Sequence, residues 1–210
     1  MKQLSFVLIS LIAFIIAACG DDSNSSEVSQ NEVDGILTDS RNGLSYKTVT
    51  IGSQMWMAQN LNYETANSYC YDDNASNCTK YGRLYTWDAA KTACPSGWHL
   101  PTKAEFETLF TTVGGQSTGT KLKATSGWSD LGGYGTDDYS FSALPAGSKD
   151  YKYGGYSMLD HSAYFWSSTE YNWADAYAVS IGKLMELEDD DANLFKSPKG
   201  LGSSVRCVKD

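Results

Sequence analysis

Positive charge is scarce in this 210-residue chain: 16 Lys and Arg stand against 25 Asp and Glu, for a net charge of −9. That balance argues against nucleic-acid binding, which needs a basic face to displace counterions from phosphates. Histidine is limited to two residues, His99 and His161, far apart in sequence. No Cys-x-x-Cys pair occurs, so the spacing of a structural zinc site is missing. Gly132-Gly133-Tyr134-Gly135 lacks a following Lys-Ser/Thr and is no phosphate-cradling loop. There is no Asp-x-Asp-x-Asp-Gly pattern of the kind that wraps calcium. No cofactor is implied by any of these patterns. Neither His has a Cys or Ser nucleophile with a partner nearby in sequence, so a catalytic triad has no basis. Long apolar runs are absent apart from Leu4–Ile16, which is too short and wrongly flanked for a membrane span. Proline is limited to four residues, whereas Gly reaches 19, Tyr 14 and Trp 6. With 41% hydrophobic and 13% aromatic residues a core is expected, built from short strands, long ordered loops and a few helices.

The N-terminus reads as an address. Lys2 is followed by the apolar run, which ends at Ile16-Ala17-Ala18-Cys19. These four residues resemble the bacterial lipobox, in which cleavage precedes the Cys and that Cys is acylated. The expectation is a signal peptide at 1–18, a lipid-bearing Cys19, a flexible polar tether at 19–33 and one domain at 34–210. Several acyl chains would hold such a protein firmly on a membrane without spanning it. Gly20 follows the Cys where an inner-membrane retention signal would have Asp. Gly20-Asp21-Asp22 resembles the acidic export tag of surface lipoproteins in Bacteroidota-like bacteria. The expected location is the outer membrane, facing outward.

Cys70, Cys78, Cys94 and Cys207 remain, an even number in an exported chain, and four cysteines allow three pairings. Cys70 and Cys78 bound a short polar loop, so a local bridge is natural, and Cys94 would then pair with Cys207. Loop closure would contribute roughly 2.6 kcal/mol for the short bridge and about 4.8 for the long one.

Leu44–Ile51 and Gln54–Leu61 read as a hairpin around Gly52-Ser53, and 62–80 as a polar loop. Tyr85–Cys94 reads as a helix capped by Thr86 and stopped at Pro95. Thr102-Lys103-Ala104-Glu105 is a capping box, with Phe106, Leu109, Phe110 and Val113 following at helical spacing and Gly114-Gly115 as the stop. Ser126 to Tyr164 reads as irregular. Strand pieces return at Tyr164–Ser168, Tyr177–Ile181 and Ser204–Val208. Helices in one block between groups of strands give an α+β class.

The blocks IGSQMWMAQNLNY, YGRLYTWDAAKTACPSGWHLPTKAEFETL, FWSSTEY and SVRCVKD resemble, in this order, the FISUMP domain (the Fibrobacter succinogenes major paralogous domain), from about Asp34 to Asp210. Such domains typically follow a lipoprotein signal, and no activity is firmly attached to them. The same blocks resemble the C-type lectin-like fold, with Trp87, Ala90, Cys94, Gly97, Leu100, Glu105 and Cys207 in its characteristic places. That resemblance also implies the Cys94–Cys207 bridge. The stretch Gly97 to Glu105 is similar to the formylglycine-generating-enzyme family. The lectin calcium motifs Glu-Pro-Asn, Gln-Pro-Asp and Trp-Asn-Asp are absent, and no Cys is left over for formylglycine chemistry.

The candidate ligand surface is the aromatic-rich segment: Trp128, Tyr134, Tyr139, Tyr151, Tyr153, Tyr156, Tyr171 and Trp173, with Tyr164 nearby. Aromatic faces stack on sugar rings or anchor proteins, and the Tyr hydroxyls bond at the edge. The competing reading is that the rings pack the loop itself. The acidic run Glu186–Asp191 reads as a solvated loop rather than a cation site. Arg206 reads as a structural arginine, held by a buried carboxylate or by loop carbonyls. The expected function is a non-catalytic binding module for a polysaccharide or surface protein. The alternatives are a structural or display protein of the envelope and, ranked last, a polysaccharide-active enzyme.

Overall fold

The computed structural model describes residues 33–182 and 191–210. The expected signal peptide, Cys19, the tether up to residue 32 and positions 186–190 of the acidic run lie outside the described residues.

The chain runs β1 (Val33–Thr38), β2 (Ser45–Ile51), β3 (Gln54–Met57), β4 (Ser68–Tyr69), α1 (Ala75–Tyr81), β5 (Leu84–Tyr85), α2 (Trp87–Ala90), β6 (Trp98–His99) and α3 (Lys103–Val113). It continues through β7 (Ala146–Lys149), β8 (Tyr156–Leu159), β9 (Ser162–Glu170), β10 (Asp175–Gly182), β11 (Ala192–Pro198) and β12 (Val208–Lys209). One sheet has the order β1-β2-β3-β12-β6, a second has β11-β10-β9-β7-β8, and β4 pairs with β5. The class is α+β.

The β2–β3 hairpin forms at Gly52-Ser53, with Ile51 facing Gln54 and Gly52 at φ +63°. Helix α3 starts as its sequence dictates. The Thr102 hydroxyl accepts from the Glu105 amide at 3.2 Å, and the Glu105 carboxylate accepts from the Thr102 amide at 2.6 Å. The helix ends at Gly114, whose φ of +106° suits a residue without Cβ. It buries Phe106, Leu109, Phe110 and Val113 in one core with Val49, Ile51 and Trp56 of the first sheet and Phe165, Val179 and Ile181 of the second. A second core gathers Met57, Tyr85, Trp87, Trp166, Ala178 and Cys207. The disulfides are Cys70–Cys78 and Cys94–Cys207.

Several expectations need correction. There are three α-helices among the described residues, not two, because α1 forms inside the supposed polar loop. The Asn74 side chain caps it by accepting from the Ser76 amide, and Gly82 closes it. The helix expected over Tyr85–Cys94 shortens to α2, followed by turns. Tyr85 is drawn into strand pairing, exchanging both backbone hydrogen bonds with Ser203. The region 126–164 contains β7 and β8, and β7 lies parallel to β9, so the strands are not all antiparallel. Strands β1 and β11 were not expected at all.

Arg206 is fully buried at the junction of these parts. Its Nε donates to Asn60 Oδ1 at 2.8 Å and its Nη2 to the Ser142 carbonyl at 2.8 Å. Its Nη1 donates to the carbonyls of Met57, at 3.2 Å, and Phe141. The guanidinium carbon lies 4.6 Å from the Phe141 ring centroid and 5.5 Å from that of Phe165. Burial pulls its pKa down to about 9 while nearby Asp137 opposes the fall. Of the two partners expected, loop carbonyls are the ones found, with Asn60 added.

Replacing Arg206 with Met should strand these acceptors and destabilise the domain by roughly 3–5 kcal/mol. That corresponds to a melting temperature lower by on the order of 10 °C, measured calorimetrically. A shift within about 2 °C would show that the acceptors find other partners.

Candidate functional site

Two turns at one end of the second sheet carry four exposed aromatic rings, among them the two most exposed of the described residues, Trp173 and Tyr153. In the β9–β10 turn the amides of Tyr171 and Asn172 donate to the Asp175 carbonyl, each at 3.0 Å. Asn172 Oδ1 accepts from the amides of Ala174 at 2.7 Å and Asp175 at 2.8 Å. This side-chain-to-backbone turn fixes the tip and leaves Trp173 88% exposed and Tyr171 45% exposed. In the β7–β8 turn Asp150 does the same work. Its Oδ1 accepts from the amides of Lys152 at 2.7 Å and Tyr153 at 2.5 Å, and Tyr151 and Tyr153 are 57% and 81% exposed.

A third segment, 199–202, joins the two tips. The Lys199 amide donates to the Ala174 carbonyl at 2.9 Å, and its ammonium lies 3.2 Å from the Trp173 carbonyl and pairs with Glu170. A Cβ placed on Gly200 would lie 3.0 Å from Tyr151 Cβ, so glycine permits that close approach. Gly202 and Lys149 exchange backbone hydrogen bonds at 2.9 and 3.0 Å. Tyr171 meets Tyr177 edge-on, with centroids 5.7 Å apart, and Lys196 Nζ lies 3.8 Å from the Tyr171 centroid. The result is an open aromatic platform, supported from beneath by paired backbone.

The remaining rings of the candidate set lie elsewhere or inward. Trp128 packs beside Gly182, at the opposite end of β10, with Lys123 Nζ 4.2 Å over its ring. Its indole Nε1 is buried without a hydrogen-bond partner among the described residues. It borders a cleft of about 280 Å³ with Ser129, Asp130 and the exposed Tyr134. Tyr139 is half-buried against the first core. Tyr156 lies 5.0 Å from Tyr71, and its hydroxyl donates to Asp73 at 2.5 Å. Burial and the Asp73 carboxylate push that hydroxyl's pKa far up. Tyr164 packs edge-on against Phe195. The expected single surface is therefore corrected to one platform of four rings, a separate pair, and rings that pack the chain itself. A cleft of about 260 Å³ near Tyr46, Asn62 and Tyr81 is remote from the platform in the chain and was not foreseen. Among the described residues no three His, Cys, Asp or Glu gather as metal ligands, and no helix is long and apolar enough to cross a membrane.

His99 is held between two carboxylates, Nδ1 at 2.7 Å from Asp210 and Nε2 at 2.7 Å from Glu105. Burial works against its charge, but the two carboxylate hydrogen bonds outweigh it and raise its pKa. With both nitrogens facing acceptors the ring clasps β6, α3 and Asp210 together. His161 donates from Nδ1 to the Leu159 carbonyl at 2.7 Å.

A family model described as the Fibrobacter succinogenes major domain matches residues 49–209. The chain belongs to this family. No curated protein and no solved structure matches it. The Fibrobacter succinogenes major domain here extends from β2 to β12 and includes both disulfides, the aromatic platform, and His99 and Glu105 of the clasp.

The clasp predicts a pH dependence for the domain. The stabilisation from His99 is complete below the unfolded imidazole pKa of about 6.5 and is lost as pH rises through the raised folded value. Glu105, whose pKa is lowered by its amide and imidazole partners against the pull of burial, loses its share as pH falls. Urea midpoints should therefore decline in the parent as pH rises above about 6.5, and His99→Gln should remove that decline. Identical slopes for the two proteins would refute the clasp.

Proposed function

We propose that this chain is a lipid-anchored, outward-facing lipoprotein of the outer membrane, and that its single domain is a non-catalytic module binding polysaccharide. The lipobox-like Ile16–Cys19 stretch supports the anchor and Gly20-Asp21-Asp22 the outward location. For the domain we propose the C-type lectin-like fold. The long Cys94–Cys207 bridge, the buried Trp87 and Ala90 of α2, and the Glu105 cap of α3 support that assignment.

The observation that carries the function is the platform: Trp173, Tyr171, Tyr151 and Tyr153 stand exposed on two turns fastened to one segment of backbone. Large apolar rings left in water on rigid turns are costly unless a ligand covers them. Aromatic side chains lose little conformational freedom on contact, and their faces match the C–H faces of sugars. The site is open rather than enclosed, which suits a polymer more than a small molecule. Nothing in this reading requires catalysis.

Binding of the purified protein to soluble and insoluble polysaccharides tests the proposal. Trp173→Ala should weaken binding about tenfold, equivalent to roughly 1.4 kcal/mol of lost stacking. Tyr139→Phe should leave it unchanged, since that ring packs inward. A folded protein that binds no polysaccharide, or binds equally well without Trp173, would overturn the assignment. The anchor has its own test. Cys19→Ala should move the protein out of the membrane fraction, and its retention there would refute lipidation.

A further inference from the structure

The platform is ringed by lysines, although the chain as a whole is acidic. Lys103 and Lys199 are neutralised by Glu107 and Glu170. Lys149, Lys152 and Lys196 have no carboxylate partner among the described residues. They sit against aromatic rings instead. Lys149 Nζ lies 4.2 Å from the Tyr156 centroid and 4.7 Å from that of Tyr69, and donates to the Gly154 carbonyl at 3.2 Å. Lys152 Nζ lies 5.2 Å from the Tyr153 centroid, and Lys196 Nζ 3.8 Å from that of Tyr171. The Trp173 ring makes no aromatic or cation contact with the described residues and is the bare stacking face.

The nearby carboxylates bond to amides rather than directly to these lysines: Asp150 holds the amides of its own turn, and Asp175 accepts from the Asn172 side chain at 3.1 Å while acting on Lys196 through space. Lys152 and Lys196 thus stand beside platform rings without a direct ion pair among the described residues, in a chain whose net charge is −9. Lys196 is four residues from Gly200, at most about 14 Å of extended chain, and Gly200 touches Tyr151. The cations thus flank the rings within the length of a few sugar units.

From this arrangement we infer that the platform is built for an anionic polysaccharide carrying uronic-acid carboxylates. A uronate ring keeps an apolar face for stacking and projects its carboxylate from the rim, where an ammonium beside an aromatic ring can meet it. A neutral glycan would use the rings and leave the lysines idle. This inference rests on the polysaccharide reading above and narrows it.

The test titrates the intact protein with polygalacturonate, with its methyl ester as a neutral counterpart, and with a sulfated polysaccharide. Polygalacturonate should bind about tenfold more tightly than the ester at low salt, and that advantage should shrink as ionic strength rises. Lys152→Gln and Lys196→Gln should each weaken binding of the acid polymer about two- to fivefold and leave the ester unchanged, as loss of one exposed ion pair would. Lys47→Gln, on the first sheet, should change neither. Equal binding of acid and ester with no response to the lysine variants would overturn this inference and leave the polysaccharide reading intact. A preference for the sulfated polymer would overturn the carboxylate assignment. Absence of binding to all three and to neutral glycans would overturn both readings together.

Discussion

A buried guanidinium must be solvated by the protein, and the solution found for Arg206 holds the domain together. Its donors are spread over Asn60 and the carbonyls of Met57, Phe141 and Ser142, while Phe141 and Phe165 cover its faces. The partners come from two segments far apart in sequence, 57–60 and 141–142, so one charge ties the end of β3 and the chain after it to the approach to β7. The tie extends further through Asn60, whose amide donates to the Tyr81 carbonyl at 2.8 Å and to Ser204 Oγ at 3.3 Å. Asp137, Ser140 and Ser142 all take positive φ, near +51°, in the stretch to whose carbonyls Arg206 donates. Left-handed backbone at three non-glycine residues persists only where surroundings fix it. The arginine and the Asp137 carboxylate, which accepts from the Ser142 amide at 2.7 Å, supply that surrounding.

The neighbouring Cys207 extends the same logic through a covalent bond. It fastens the segment after Arg206 to Cys94, so the chain beside β12 is held from both sides. Between β11 and Arg206 lies 199–205, which has little regular structure yet bonds to almost everything around it. It contacts Ala174, Tyr85, Lys149 and Tyr164 through backbone alone. The aromatic platform is assembled on this segment. Its rings occupy turns, but the turns rest on chain that cannot shift without breaking the core.

The parts of the fold that were legible in the sequence are those whose determinants are local. Thr102 and Glu105 lie three residues apart and cap α3 by themselves. Gly52-Ser53 makes its hairpin between two β-rich runs. The short disulfide closes its own loop. What was illegible depended on distant partners. Tyr85 looks helical in its own window and becomes strand because Ser203 pairs with it. Strand β11 ends at Pro198 and contains Asn193, a poor strand sequence on its own, and exists because β10 offers it a full edge. The aromatic set was read as one surface because its members are close in sequence. Yet Trp128 and Trp173 lie toward opposite ends of β10, and whether a Tyr such as 139 or 153 faces water is set by what the rest of the chain leaves open. The contact of Lys196 is illegible for the same reason: Lys196 and Tyr171 are far apart in sequence and meet only through the β9–β10–β11 pairing.

The aromatic residues play two roles. Where a ring packs the chain, its polar atom usually finds a protein partner. The Trp87 and Trp166 indoles donate to backbone carbonyls at 2.8 and 2.7 Å, and the Tyr85 hydroxyl donates to that of Tyr63 at 2.7 Å. Where a ring faces water, at Tyr153 and Tyr171, a lysine without a carboxylate stands beside it. The Lys152 and Lys196 ammonium groups remain exposed to water, and their approach to an aromatic face places stacking surface and positive charge side by side. The anionic polysaccharide proposed above would use both at once, its sugar faces against the rings and its carboxylates against the lysines.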